Sequence, residues 1–180
     1  MNEPLYIVDI MQEVVASVDV ITFPLIGKHI DFIPGRSSQI IKKLIELGTS
    51  SKLETKAKKY PLFALFMDFP ENNTQTFYHC TVKFPKISIA NFTDHNWPVL
   101  TKYANNFKPI LYPIYTNFLT QLSRHKNIVG VDFPHIKWDR PGVQPADPSK
   151  PSNFNDYVDA IEINNLDITF KQVRFCKQPN

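Results

Sequence analysis

From Leu5 to Val18 the apolar residues Leu5, Val8, Met11, Val15 and Val18 recur at steps of three and four, one stripe of a helix. Asn2 is placed to cap it, and Pro4 falls in the first turn, where a missing N–H does no harm. After Asp19 the pattern changes to VITFPLIGKHIDFIP, β-branched and aromatic with Pro interruptions, which predicts one or two short strands. SSQIIKKLIEL returns to helical spacing, with Ser37 or Ser38 as cap and Ile40, Ile41, Leu44, Ile45 and Leu47 as the buried face. In YPLFALFMDFPE the apolar run from Leu62 to Phe66 predicts a strand covered on both faces. ENNTQT has the composition of a turn. FYHCTVKFPKISIANFTD then sets Tyr78, Cys80, Val82 and Phe84 against His79, Thr81 and Lys83, the longest strand of the chain, with Pro85 marking a bulge or an edge.

HNWPVLTKYANNFKPILYPIYTNFLTQLSRHK is the main helical region, with Ile114, Phe118, Leu119 and Leu122 as its stripe and Pro109 and Pro113 near its start. IVGVDFPHIKWD reads as another strand. RPGVQPADPSKPSNFND carries Pro141, Pro145, Pro148 and Pro151 and no periodicity, so an extended loop is expected over about 140–155. No repeat recurs at a fixed period. The order is helix, short strands, helix, two strands, helix, strand, long loop and a final strand pair. It predicts one α+β domain over 1–180, a mostly antiparallel sheet with helices packed on one face.

The last stretch, NDYVDAIEINNLDITF, tests for chemistry because it interleaves Asp156, Asp159, Glu162 and Asp167 with apolar residues. Strand side chains alternate between faces, so Ile161 and Ile163 share one face and Glu162 takes the other. Leu166, Ile168 and Phe170 have the opposite parity, so the phase slips at Asn164–Asn165, which requires a bulge or tight turn. Glu162 and Asp167 then fall on the wet face, and Asp156 and Asp159 belong to the loop exit. Asp159 and Glu162 point opposite ways and make no chelating pair. A solvated strand face outweighs a metal-dependent enzyme built on these acids.

Composition adds little chemistry. There are 15 Pro against 5 Gly, and 14 Phe with 7 Tyr, which fits extended connections and a bulky core or contact surface. A net charge of +3 is far below that of a typical duplex-binding domain. Cys80 and Cys176 show neither metal-ligand spacing nor a disulfide framework. Cys80 reads as a buried thiol. MNEPLYIVDI lacks the basic and apolar regions of a signal peptide, and no apolar run approaches a bilayer span. His135, Lys137 and Asp139 share one strand face, but a lysine between the other two repels a cation, so a structural or interface role is expected. No phosphate loop, HExxH, GxSxG or CxxC is present. No catalytic residue, metal or cofactor is expected. The basic bridge KLETKAKK, with Lys52, Lys56, Lys58 and Lys59, reads first as a solvated linker and second as a DNA-channel lining. Trp138, Phe154 and Tyr157 flank the Pro-rich loop as aromatic anchors of a protein contact surface.

YPLFALFMDFPE, the Trp-Pro of HNWPVL, NNFKPILYPIYTNFL, and NDYVDAIEINNLDI with a late Cys occur together here. The combination resembles a family of small virion proteins in tailed phages of Bacteroides-type hosts, including the crAss-like phages. The order of elements also resembles the tail-terminator, or tail-completion, fold. The resemblance spans about residues 5 to 176 and implies a head–tail connector of the neck or upper tail. It implies self-association into a closed ring of six or twelve copies, twelve being favoured, between portal or adaptor proteins and tail proteins. Such a ring implies transient, non-specific contact with DNA, no membrane, and a place in the virion after assembly in the host cytoplasm. The rival expectation is a small nucleic-acid-binding accessory protein.

Overall fold

A computed structural model describes residues 6–49, 59–76, 79–143 and 156–171. Helix α1 (Ile7–Ile26) leads to strand β1 (Asp31–Gly35), helix α2 (Ser37–Thr49), β2 (Leu62–Phe66), β3 (Glu71–Thr76) and β4 (His79–Phe92). One helical rod follows, made of α3 (Val99–Lys102), a π-helical segment (Tyr103–Leu111) and α4 (Tyr112–Arg124). Strands β5 (Ile128–Val129), β6 (Ile136–Val143) and β7 (Val158–Lys171) complete the fold.

The sheet is built on two 14-residue strands, β4 and β7, paired antiparallel along their whole length. On its outer edge β4 carries β2 and β3, and β7 carries β5 and β6; β1 then adds to β2. Among the described strands five pairings are antiparallel, and only β1 with β2 is parallel. The expected α+β class with a mostly antiparallel sheet is therefore present, as a mixed sheet. Helices on one face alone is not what the chain adopts. Parallel neighbours need a crossover connection, and α2 supplies it between β1 and β2. Ile40 and Leu44 of α2 pack with Ile33, Leu62, Ala64, Ala90 and Ala160, whereas α1 and the long rod pack on the opposite face.

That opposite face holds the main core. Ile10, Met11, Val14, Val15 and Val18 of α1 and Phe107, Leu111, Ile114, Phe118 and Leu122 of the rod meet Phe63, Leu65, Val82, Phe84, Ile87, Ile89, Ile161 and Ile163. Phe63 and Phe118 lie with ring centroids 4.8 Å apart at 59°, an arrangement aromatic quadrupoles favour. As expected, β2 is covered on both sides, Phe63 and Leu65 by this core and Leu62 and Ala64 by α2.

Several local expectations change. Helix α1 runs on through VITFPLI and ends at Gly27, whose φ of 65° and N–H to the Phe23 carbonyl (2.8 Å) make a left-handed cap. Pro24 falls in the last turn, so only β1 remains of the strands expected there. The Asn2 cap and Pro4 lie outside the described residues, and the described helix starts at Ile7. ENNTQT is strand β3 rather than a turn, because an edge strand needs only backbone pairing, here Glu71 with Val82 and Asn72 with Thr81. Residues 140–143, assigned to the loop, extend β6, and the final segment is one strand through Lys171.

The phase slip in β7 is real and has a partner. Asn165 has a φ of 56°, and Asn164 and Asn165 both point away from the main core. Across from it β4 makes the same change: Phe84 and Ile87 are both in the core, with Pro85 and Lys86 outside. The register is nevertheless unbroken, with Phe84 opposite Leu166 and Lys86 opposite Asn164. Two matched defects turn both strands over at one place.

Candidate functional site

Two polar sites and one apolar cleft stand out. The first lies where the π segment crosses the ends of β4, β6 and β7. Pro109 cannot donate in a helix, and its ring crowds the preceding turn, so a wider coil is a natural accommodation. The segment's wide spacing is visible in the Tyr112 N–H, which donates to the carbonyl of Phe107, five residues back. It directs Asn106 into the molecule. The Asn106 amide donates to Asp159 Oδ2 (2.7 Å) and to the Phe92 carbonyl (3.0 Å), and its oxygen accepts from Asn91 Nδ2 (2.8 Å). Asp159 Oδ1 accepts the Gly142 N–H at 2.8 Å. Gly142 has a φ of 66° beside a one-residue bulge between Arg140 and Val143, and a side chain there would run into Lys102.

Asp159 is thus a fully buried member of β7, in phase with Ile161 and Ile163, and not a loop-exit acid. A buried carboxylate is tolerable only when its oxygens are held by donors, and here they are. Lys102 is also buried, with Nζ 3.5 Å from the His95 carbonyl. Asn91 Oδ1 and Thr93 Oγ1 are buried without a partner among the described residues. Asn91, Lys102 and Asn106 were not singled out from the sequence. Asn91 is in step with Ile87 and Ile89, and that polar residue at an apolar position was the available signal.

The second polar site lies between the rod and β6. Asp139 accepts hydrogen bonds from Tyr112 (2.6 Å), Tyr103 (3.3 Å) and Lys137 (2.5 Å). Lys137 also stands over the rings of Tyr112 (4.7 Å) and Tyr115 (5.5 Å). Burial alone would raise the Asp139 pKa, but the bonds from Lys137 and Tyr112 outweigh it and hold the carboxyl below its ordinary value. Burial and Asp139 push the Tyr103, Tyr112 and Tyr115 hydroxyls up. His135 Nε2 pairs with Tyr115 at 2.7 Å and Nδ1 with the Phe133 carbonyl, two residues back, at 2.6 Å. His135 and Asp139 therefore bind different tyrosines, and the mutually satisfied cluster fastens β6 to the rod.

The cleft is on the α2 side. Ala64, Ser88, Ala90 and Ala160 form its floor, Ile40, Ile41 and Leu44 of α2 its roof, and its volume is about 180 Å³. At one end Glu162 is shared by Lys86 (2.6 Å) and Arg140 (3.2 Å). Burial would raise the Glu162 pKa, but these two cations lower it overall. Arg140 stacks over Trp138 at 5.1 Å. Directly opposite Glu162 on the adjoining strand β6, Trp138 is 49% exposed, with Ile136 at 50% on the same side.

Of the expected contact residues, Trp138 is half-exposed. Tyr157 is half-buried, with its ring stacked on His95 at 5.0 Å. Phe154 lies outside the described residues, as do Lys52, Lys56 and Lys58. Lys59 is buried and ion-paired with Asp156, which also accepts from the Tyr60 hydroxyl at 3.3 Å. Lys59 is therefore held in an ion pair inside the fold rather than presented to solvent. Cys80 is fully buried, and burial followed by the charge of Glu71 raises its pKa, the opposite of an activated thiol. Among the described residues no group of three or more His, Cys, Asp or Glu side chains could hold a metal ion, and no helix is long and apolar enough to cross a membrane. No protein-family model matches the chain, and a search of curated proteins returns no match.

Proposed function

We propose that this chain is a structural subunit of a phage virion, a head–tail connector protein that closes into a homo-oligomeric ring of the neck or upper tail around the DNA channel. The observation that carries the reading is the outer strand β6. It projects Ile136 and Trp138 half-exposed from one sheet face, and its far edge pairs with no other described strand. An open edge beside exposed large apolar residues is the kind of surface that protein association covers. The sequence resemblance supplies the identity of the assembly: portal or adaptor proteins on one side and tail proteins on the other. The mild charge of +3 suits a channel that passes DNA without gripping it.

Native mass spectrometry and negative-stain microscopy of the full chain test this directly. A closed ring, alone or when mixed with the neighbouring virion proteins, is expected. A protein that stays monomeric in both settings would sink the proposal, and tight duplex binding with a steep salt dependence would replace it with the accessory-protein reading.

A further inference from the structure

The cleft under α2 has four small residues on its sheet side, beside the larger Leu62 and Val158. Ala64, Ser88, Ala90 and Ala160 stand there, while neighbouring residues of the same strands put Phe63, Leu65, Ile87, Ile89 and Ile161 on the other face. An apolar cavity of about 150 Å³ accommodates a benzene-sized group. At about 180 Å³ the cleft therefore has room for one large apolar side chain. Its rim is cationic, since Lys86 and Arg140 share the single Glu162.

The molecule carries a convex feature of matching chemistry. In the turn from Asp94 into α3, Leu100 is 83% exposed, Val99 54% and Trp97 36%. Asp94 holds the turn in shape, its Oδ1 taking the Asn96 N–H (2.9 Å) and its carbonyl the Trp97 N–H (3.2 Å). A rigid turn loses little entropy when it docks. Another exposed apolar projection, Val20 and Leu25 on α1, has as its acid Asp19, which is engaged by His29 and the Ile30 N–H, both at 2.8 Å. Asp94 is the less engaged acid, with His95 Nδ1 at 3.7 Å against 2.8 Å for His29 on Asp19, so its turn is the better complement to a cationic rim.

We propose that the Trp97–Leu100 turn of one subunit seats in the α2 cleft of a second copy of this chain, with Asp94 against the Lys86–Arg140 rim. Turn and cleft are different patches, so the contact is head-to-tail and propagates until it closes, as a ring requires. This inference rests on the ring reading above and supplies one contact of its interface, in addition to the β6 edge.

The test uses the full chain, with association followed by native mass spectrometry and circular dichroism as a check on folding. Leu100→Asp alters a residue already in solvent, and should weaken association about tenfold or more, the effect of losing one buried apolar side chain. Asp94→Lys and Lys86→Glu should each weaken it, and the two together should restore it in part. Mixed under oxidising conditions, Leu100→Cys and Ser37→Cys proteins should form a disulfide with each other in preference to either with itself. A wild-type ring unmoved by Leu100→Asp, or cross-linking of Leu100→Cys with itself, overturns this interface and leaves the ring reading standing. A wild type that stays monomeric both alone and with the neighbouring virion proteins overturns both.

Discussion

The two faces of the sheet are built from the same strands and packed to opposite standards. Toward α1 and the long rod, β2, β4 and β7 present Phe63, Leu65, Phe84, Ile87, Ile89, Ile161, Ile163 and Phe170, all buried against two helical elements. Toward α2, neighbouring residues of those strands present Ala64, Ser88, Ala90 and Ala160 with Leu62 and Val158 beneath a single short helix, and space remains. One face supplies the core that keeps the chain folded. The other is left able to accept something, and small residues with a charged rim are what distinguish it.

The comparison breaks most visibly on the closed face. Phe118→Ala removes a ring packed on Phe63, and should cost about 3–5 kcal/mol in denaturant unfolding. Next comes Asp159→Ala, which strands the Asn106 amide and the Gly142 N–H in a buried place and should cost about 2–3 kcal/mol. A smaller and sharper contrast comes from adding volume. Ala160→Val, beside the cleft, should change stability by less than about 1 kcal/mol, whereas Val82→Phe on the closed face should cost about 1–3 kcal/mol. Equal penalties for the two would mean that the cleft is not open space.

The smallest effect is in acid. Asp139 and Glu162 have folded pKa values below their ordinary 3.8 and 4.5, so the unfolded chain takes up protons first as the pH falls. Their contribution is complete above the ordinary values and disappears as the pH drops through the folded ones. Asp139 is tied to the rod by two tyrosines, whereas Lys86 and Arg140 around Glu162 are well exposed, and such pairs contribute under about 1 kcal/mol. Melting temperature followed from pH 6 downward should therefore flatten more for Asp139→Asn than for Glu162→Gln.

Much of the closed face was legible in the sequence, because periodicity is what burial on one side writes into a chain. The stripe Ile114, Phe118, Leu122 and the alternation Cys80, Val82, Phe84 both mark residues that are fully buried. The open face was legible only in part: the burial of Ile40 and Leu44 and a β2 covered on both sides were expected, but not which face α2 takes. Which side α2 covers follows from the parallel pairing of β1 with β2, and no local pattern near Ile40 announces a crossover. The second half of α1 was misread because Val20, Ile21 and Phe23 have strand character, and a helix anchored by Val14, Val15 and Val18 simply carries them along into solvent. Asp159 was misplaced for a different reason. Its phase with Ile161 pointed inward, but a carboxylate is a poor core residue until its donors are known, and those come from Asn106 and Gly142, far along the chain.

The matched turn-over at Pro85 and Asn165 has a consequence for how this chain can change. Deleting Asn165 alone would slide β7 by one step against β4, and every residue beyond it would lose its opposite number. Deleting Pro85 alone would do the same from the other side. Removing both would leave the pairing intact and the apolar alternation regular, because Phe84 would still face Leu166 and Ile87 would still face Ile163. The two positions are thus a single hereditary unit spread over two distant codons, to be gained or lost together.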